Sequence, residues 1–264
     1  MILSAEILLA NLHLVPVGAL IATIASFLGI GGGLLWAPYL ILVRGLDPQT
    51  AIMLSLLIQI AGMGSATLQN IRNRSIFWKL LIRLIPFLVA GALLGSYVAQ
   101  GLPSGWFLKM GLGILSIVIS LYFAFKTERY GIDLNLDRST RPTLPVMAMS
   151  GFFGALSGLF SIGVSDFLIP LMRSRLKIPM ANAIGTSIFI NFSIAAISGL
   201  FHASLAGGRF NDDTVGLLLC AWTGAFLGGQ LGPRLSAMIE DERLKEIFIF
   251  ALLLLGIHMI YQSI

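Results

Sequence analysis

Six uninterrupted apolar segments, each close to 20 residues long, run through this sequence of 264 residues. About 20 predominantly apolar residues are what an α-helix needs to cross the hydrocarbon core of a bilayer. Only 11% of the residues are Asp, Glu, Lys or Arg, against about a quarter in soluble domains. The sequence therefore predicts an all-α polytopic membrane protein that has the lipid bilayer as a partner. Its full spans are expected near 50–70, 80–100, 107–126, 180–203, 214–233 and 245–262.

Two further apolar segments, 7–43 and 143–172, contain residues that interrupt helices. At about 1.5 Å per residue the first would form a rod roughly 55 Å long, well beyond a hydrocarbon core of about 30 Å. It must therefore bend, break or run along the interface, whereas the second could be one tilted helix on length alone. The interrupting residues are Gly31, Gly32, Gly33 and Pro38 in the first segment, and Gly163, Ser165, Asp166 and Pro170 in the second.

The sequence also matches itself when it is shifted by about 132 residues, which indicates an internal repeat. The repeat predicts two halves, 1–126 and 143–264, joined by a charged connector at 127–142. Gly91 and Gly95 answer Gly224 and Gly228, a spacing suited to close helix contact in lipid. The other matches pair 29–33 with 161–165, Pro38 with Pro170, Ala51 with Ala183, Ser55 with Ser187, Gln59 with Asn191, and Asn70 with His202.

The basic residues indicate how the second broken segment runs. If 143–172 enters and returns on one side, 14 of the 17 Lys and Arg lie on that side, and only Arg44, Lys109 and Arg209 lie on the other. This is the positive-inside pattern of a cytoplasmic face. We therefore expect two inverted repeats, each a re-entrant, Gly-tipped segment plus three transmembrane helices. The termini are predicted outside and the 127–142 connector in the cytoplasm.

Re-entrant backbone at membrane depth is tolerated only where protein or a water-filled cavity satisfies its polar groups. Half-helices over 34–43 and 167–172 would point their positive N-terminal ends at the membrane centre, and such ends attract anions. Glycine lets a ligand approach the backbone closely. The glycines could alternatively allow only a kink or tight packing. The predicted substrate-binding positions at the tips are Gly31, Gly32, Gly33, Gly163 and Ser165.

Four polar residues follow the tips on helices, and each pair is spaced i, i+4, which places both side chains on one face. Ser55 and Gln59 form one pair, and Ser187 and Asn191 form the other. They are predicted to donate hydrogen bonds to an oxyanion, although bonding between helices is a common use of such side chains. Asn70 and His202 are weaker candidates for the same role.

Asp166 is the only acidic residue deep in an apolar segment. An ionised carboxylate there is costly, so it should be paired, protonated or in contact with water. It is a candidate for proton coupling, and the alternative is that Ser165 or Asp166 caps the second half-helix. The first half has Leu34 at this position, so any coupling would be asymmetric.

No cofactor, metal or nucleic-acid partner is expected. The single Cys220 cannot form a disulfide within the chain, and no Cys/His spacing of a zinc site is present. The small net positive charge is interpreted as topological. The expected partners are a small anionic substrate and the bilayer.

The run Gly29-Ile30-Gly31-Gly32-Gly33-Leu34-Leu35-Trp36-Ala37-Pro38, the later Ala51-Ile52-Met53-Leu54-Ser55 and their echo at 161–187 resemble the TauE/SafE family of bacterial sulfite exporter-like carriers. The resemblance covers essentially the whole chain. It implies small sulfur-containing anions or organosulfonates as cargo, with the Gly-rich segments of both halves forming the pathway. The second half departs from the family pattern, because 161–166 reads Ser-Ile-Gly-Val-Ser-Asp in place of a glycine cluster.

These features favour a secondary transporter that moves a small anion by alternating access around a central site. No P-loop is present to bind ATP. An anion channel is the alternative function. An intramembrane enzyme is less favoured, because the sequence has no His-Glu-x-x-His or Gly-x-Ser-x-Gly motif.

Overall fold

The computed structural model of the protein describes residues 5–28, 31–102, 105–125, 142, 144–174, 178, 180–205, 210–235 and 241–263. Within these residues all regular secondary structure is α-helical. The predicted 127–142 connector lies outside the described residues except for Pro142. The helices are α1 (Ala5–Asn11), α2 (Leu14–Leu28), α3 (Gly33–Leu42), α4 (Pro48–Arg72), α5 (Trp78–Gly101), α6 (Gly105–Phe125), α7 (Leu144–Phe160), α8 (Ser165–Ser174), α9 (Met180–Ser204), α10 (Asp212–Leu235) and α11 (Asp241–Tyr261).

The long helices coincide with the predicted spans. Among the described residues, α4, α5, α6, α9 and α10 are long and apolar enough to cross a membrane. The sixth predicted span, 245–262, falls on the 21 residues of α11. The first apolar segment supplies a further span if α1 and α2, which meet at an angle of 45°, are counted together. The chain is therefore a multi-pass membrane protein whose regular structure, in the part described, is helical.

Both broken segments are divided as predicted, but not at their prolines. One division separates α2 from α3, and the other separates α7 from α8 at 161–164. Pro38 lies inside α3 and Pro170 inside α8, so the prediction that these prolines break the segments was wrong. Membrane helices tolerate proline because neighbouring groups satisfy the freed backbone. Ser165 and Asp166 are likewise the first two residues of α8 and do not lie in the break.

Two pairs of helices that the predicted repeat makes equivalent pack antiparallel, namely the central pair α4 and α9 and the pair α6 and α11. In the central pair, Gly64 of α4 faces Phe192 of α9, while Leu56 and Leu57 of α4 face Gly199. Residue numbers therefore fall along α4 as they rise along α9, so the two helices run in opposite directions. In the second pair, α6 and α11, the Ser120 hydroxyl donates to the carbonyl oxygen of Ile249 at 2.8 Å. Near the other end of that pair, the Trp106 indole donates to the carbonyl oxygen of Ser263 at 2.7 Å.

The helices that lead into the breaks pack on the opposite half of the chain. Helix α2 lies along α10, and α7 lies along α5. The predicted close contacts of Gly91, Gly95, Gly224 and Gly228 are confirmed at these two interfaces. A Cβ added at any of the four would overlap a backbone carbonyl of the facing helix, belonging to Gly151, Ala155, Val15 and Ala19 respectively.

Helix α4 begins with a side-chain cap that fixes its start. The Asp47 carboxylate accepts a hydrogen bond from the Thr50 amide at 2.9 Å, and Pro48 occupies the first helical position. An acidic N-cap followed by proline is a favourable helix start, because it satisfies an otherwise unpaired amide and presets φ.

We expect Asp47→Ala to lower the free energy of unfolding by about 1 kcal/mol, because the Thr50 amide loses its acceptor. Thermal unfolding of the purified protein in detergent should show a decrease in Tm of a few degrees. Asp47→Asn is the control, since asparagine is an equally good cap. An alanine variant as stable as the asparagine variant would contradict this role for the cap.

Candidate functional site

The two breaks meet through bare backbone. A Cβ added at Gly31 would overlap the backbone of Gly163, and a Cβ added at Gly163 would overlap that of Gly31. Gly33 is equally confined, since a Cβ there would overlap the carbonyl oxygen of Ser161. Glycine at these positions allows two stretches of backbone from different halves of the chain to touch. The structure thus brings together three of the predicted tip glycines.

The middle glycine of the triplet differs from its neighbours. At Gly32 a Cβ would have its nearest atoms at 3.7 Å, which include the Gln59 Cγ and the Ala25 Cβ. Its φ of −61° and ψ of −17° are ordinary right-handed helical values. Gly32 therefore lies beside the contact between the breaks and is not confined by it.

The contact between the breaks lies halfway along the two central helices. Gln59 is the twelfth of the 25 residues of α4, and Asn191 is the twelfth of the 25 residues of α9. Each helix is about 37 Å long at 1.5 Å per residue. The breaks, which both residues contact or adjoin, are therefore near the midpoint of the distance that these helices cross.

On the α4 side, two polar side chains of the first half contact the hydroxyl of Ser161 in the second break. The Ser55 and Ser161 hydroxyl oxygens are 2.7 Å apart, and the Gln59 side-chain amide donates to the Ser161 hydroxyl oxygen at 2.8 Å. The Ser55 hydroxyl also lies 2.8 Å from the carbonyl oxygen of Ile52. All three polar side chains are at most 5% exposed. The first-half pair predicted from spacing thus converges on one hydroxyl of the second half.

On the α9 side, Asn191 holds the start of α8. Its side-chain oxygen accepts from the Val164 amide at 3.0 Å, and its side-chain amide donates to the Ser165 hydroxyl at 2.7 Å. In this arrangement the Val164 amide at the second tip is thus bound to Asn191. The predicted second-half residues Ser165 and Asn191 are therefore directly bonded.

Ser187 is also on α9, one turn before Asn191, and its hydroxyl is fully buried. Among the described residues this hydroxyl has no hydrogen-bond partner. A buried polar group without a partner is uncommon in a folded protein and requires an explanation. Ser187 is thus the predicted binding residue with an unused donor in this arrangement.

The cluster formed by Ser55, Gln59, Ser161, Ser165, Ser187 and Asn191 is electrically neutral. Its side chains are hydroxyls and amides, and the nearby wall is apolar, with Leu34, Trp36 and Val164 buried. In a water-poor environment such donors act more strongly on a charged ligand than they would in water. The described part of the chain contains no group of three or more His, Cys, Asp or Glu that could hold a metal ion.

The two weaker candidates lie apart from this cluster. The Asn70 side-chain oxygen accepts from the Ser75 hydroxyl at 2.7 Å near the end of α4. The His202 ring lies with one nitrogen 2.8 Å from the Gln100 side-chain nitrogen and the other 3.0 Å from the carbonyl oxygen of Gly158. Asn70 thus ties the end of α4 to the turn that follows it, whereas His202 ties α9 to α5 and α7. The Asp166 backbone begins α8, but its side chain lies outside the described residues.

Sequence reasoning missed Ser161, which is the centre of the α4 side. Its φ of +59° is unusual for a residue other than glycine. The available signal was the repeat itself, because Ser161 stands at the position of Gly29. A hydroxyl in place of a glycine at a tip indicates a polar contact.

Comparison with known proteins agrees with these features. The family model of the sulfite exporter TauE/SafE matches residues 14–259. "Probable membrane transporter protein YunE" of Bacillus subtilis is 29% identical, over 95% of this chain and 97% of the relative. "Probable membrane transporter protein ORF9" of Sinorhizobium sp is 28% identical, over 92% and 90%. "Probable membrane transporter protein MJ0441" of Methanocaldococcus jannaschii is 27% identical, over 97% of both.

No solved structure matches the chain. The family model covers nearly all of the helices, including both breaks and the central pair α4 and α9. The relatives extend over almost the full length of the chain, so the similarity is not confined to one motif. The chain belongs to the sulfite exporter TauE/SafE family of membrane transporters.

Proposed function

We propose that the protein is a secondary transporter that moves a small anion across the bacterial cytoplasmic membrane by alternating access. The observation that carries the proposal is the contact of two broken segments, one from each half, at the middle of the central helices α4 and α9. Secondary transporters commonly bind substrate near the midplane, between discontinuous helices of two repeats. Family membership supports the transporter role.

The two halves, 1–126 and 143–264, are proposed to be inverted repeats. Antiparallel packing of α4 on α9 and of α6 on α11 supports this, because equivalent helices of inverted repeats run in opposite directions. Reciprocal packing supports it as well, since α2 lies on α10 while its equivalent α7 lies on α5. With this arrangement the termini are outside, and the 127–142 connector is in the cytoplasm.

The substrate is proposed to be a sulfur oxyanion or organosulfonate, such as sulfite or sulfoacetate. The family's description provides the sulfur chemistry. The neutral donors at the breaks provide the binding chemistry, since several oxygens of one anion can accept from Ser55, Gln59 and Ser187. Amides at the starts of α3 and α8 add the positive ends of helix dipoles.

In the described arrangement no space separates Gly31 from Gly163. An anion bound between the breaks therefore requires them to part, and their closure separates the two sides of the membrane again. This favours a carrier over an anion channel, because a channel needs one continuous path. Asp166, at the start of α8, is the proposed site of proton coupling.

The test is counterflow in proteoliposomes that contain the purified protein. We expect internal sulfite or sulfoacetate to drive uptake of the labelled anion, and an imposed pH gradient to change the rate. In Asp166→Asn the effect of the pH gradient should disappear, while counterflow at equal pH persists. Preferential transport of neutral or cationic solutes, or flux that never exceeds passive equilibration, would overturn the proposal.

A further inference from the structure

The Ser161 hydroxyl occupies a position that two donors of the first half share. The Gln59 side-chain nitrogen is 2.8 Å from this oxygen, and the Ser55 hydroxyl oxygen is 2.7 Å from it. Ser161 is on α7's side of the second break, so these bonds join the two halves of the chain. The Ser161 oxygen, which accepts from Gln59 and lies beside the Ser55 hydroxyl, is placed as an oxygen of a bound anion would be.

The backbone of Ser161 has an energetically unfavourable conformation. Ser161 has a φ of +59°, in the left-handed region that favours glycine. Residues with a side chain remain in this region only when their surroundings hold them there. The bonds to Ser55 and Gln59 are the described contacts that hold the Ser161 side chain.

The other half of the chain lacks this arrangement. By the repeat, Gly29 stands where Ser161 stands, and Ser187 stands where Ser55 stands. Glycine has no hydroxyl to offer, and the buried Ser187 hydroxyl has no partner among the described residues. Ser55, in contrast, has two oxygens within reach, that of the Ser161 hydroxyl and the carbonyl oxygen of Ile52. The half-sites are therefore unequal, because the Ser55 hydroxyl is bonded and the Ser187 hydroxyl is open.

We propose that the Ser161 hydroxyl is an internal competitor of the transported anion. This inference rests on the proposed function and assigns Ser161 to the substrate site as an autoinhibitory contact. When no anion is bound, the Ser161 hydroxyl occupies Ser55 and Gln59, whose other acceptors within reach are the carbonyl oxygens of Ile52 at 2.8 Å and of Ser55 at 3.3 Å. An incoming oxyanion takes both donors and releases Ser161 from its left-handed conformation. Ser187 is open to the anion from the start.

The experiment compares sulfite binding by the wild type, Ser161→Gly and Ser161→Ala, using titration calorimetry on purified protein. Both variants remove the competing hydroxyl, and glycine also fits the φ of +59° without strain. We expect both to bind sulfite about tenfold more tightly than the wild type. Ser150→Ala is the matched control. The hydroxyl of this buried α7 serine donates within its own helix, to the carbonyl oxygen of Val146 at 2.8 Å, so its removal should leave affinity unchanged.

The outcomes separate this inference from the function on which it rests. Wild-type binding with equal or weaker binding by both Ser161 variants would overturn the inference and leave the proposed function standing. Tighter binding by the glycine variant alone would also overturn it, because backbone freedom and not the hydroxyl would then be responsible. No sulfite binding by any of the chains would count against both proposals. A thermal unfolding scan of each variant confirms that the protein titrated is folded.

Discussion

Gly31→Ala and Gly33→Ala should each reduce anion counterflow to the level of protein-free liposomes. In both variants the new methyl group overlaps backbone of the second break, at Gly163 in one case and at Ser161 in the other. Backbone held between helices cannot rotate away as a long side chain can. The two breaks would be forced out of register, and the alternation between a parted and a closed arrangement, which carrier transport requires, would be lost.

The control for this prediction is the glycine between them. Gly32→Ala places its methyl group 3.7 Å from the nearest atoms and keeps a helical backbone, so we expect transport within about twofold of the wild type. Three adjacent glycines would then differ in effect according to their contacts alone. Equal activity of all three variants, or loss in all three, would contradict the described contact between the breaks.

Gly91→Ala and Gly95→Ala should destabilise the protein more than other single substitutions on α5. Each methyl group overlaps a carbonyl oxygen of α7, so α7 must move away along its whole contact with α5. Overpacking of this kind typically costs about 1–3 kcal/mol, and the two together should cost more. Because α7 carries Ser161 at its end, transport should fall together with stability.

Thermal unfolding in detergent measures this effect, with Gly101→Ala as the matched control. Gly101 lies on the same helix, and nothing is within 4 Å of a Cβ built there. We expect a Tm decrease of several degrees for Gly91→Ala or Gly95→Ala and no decrease for Gly101→Ala. Comparable Tm values for the three variants would show that α5 and α7 are not in close contact.

The spans and the positions of both breaks could be predicted because their signals are local. Long apolar runs and clustered glycines act on the backbone where they occur. The repeat paired Ser55 with Ser187 and Gln59 with Asn191. It could not indicate that these equivalents bond differently, with Gln59 reaching the opposite break while Asn191 holds the break of its own half.

Other features depend on contacts distant in sequence. The bend between α1 and α2 follows Asn11, which is fully buried. The side-chain amide of Asn11 donates to the Asp213 carboxylate at 3.2 Å, and its side-chain oxygen accepts from the Arg44 guanidinium at 2.9 Å. No local pattern predicts such a cluster. Pro38 and Pro170 failed as break signals for the same reason, since tertiary packing decides whether a membrane helix continues through proline.

The position of the bound anion would show whether the substrate site lies between the two breaks. Crystals of the protein soaked with selenite, the selenium analogue of sulfite, would give an anomalous signal at each bound ion. We predict a peak between the two breaks, with selenite oxygens within about 3 Å of the Gln59 side-chain nitrogen and the Ser187 hydroxyl. Selenite bound only near the ends of the helices, with uninterrupted helices where the breaks are described, would contradict the account.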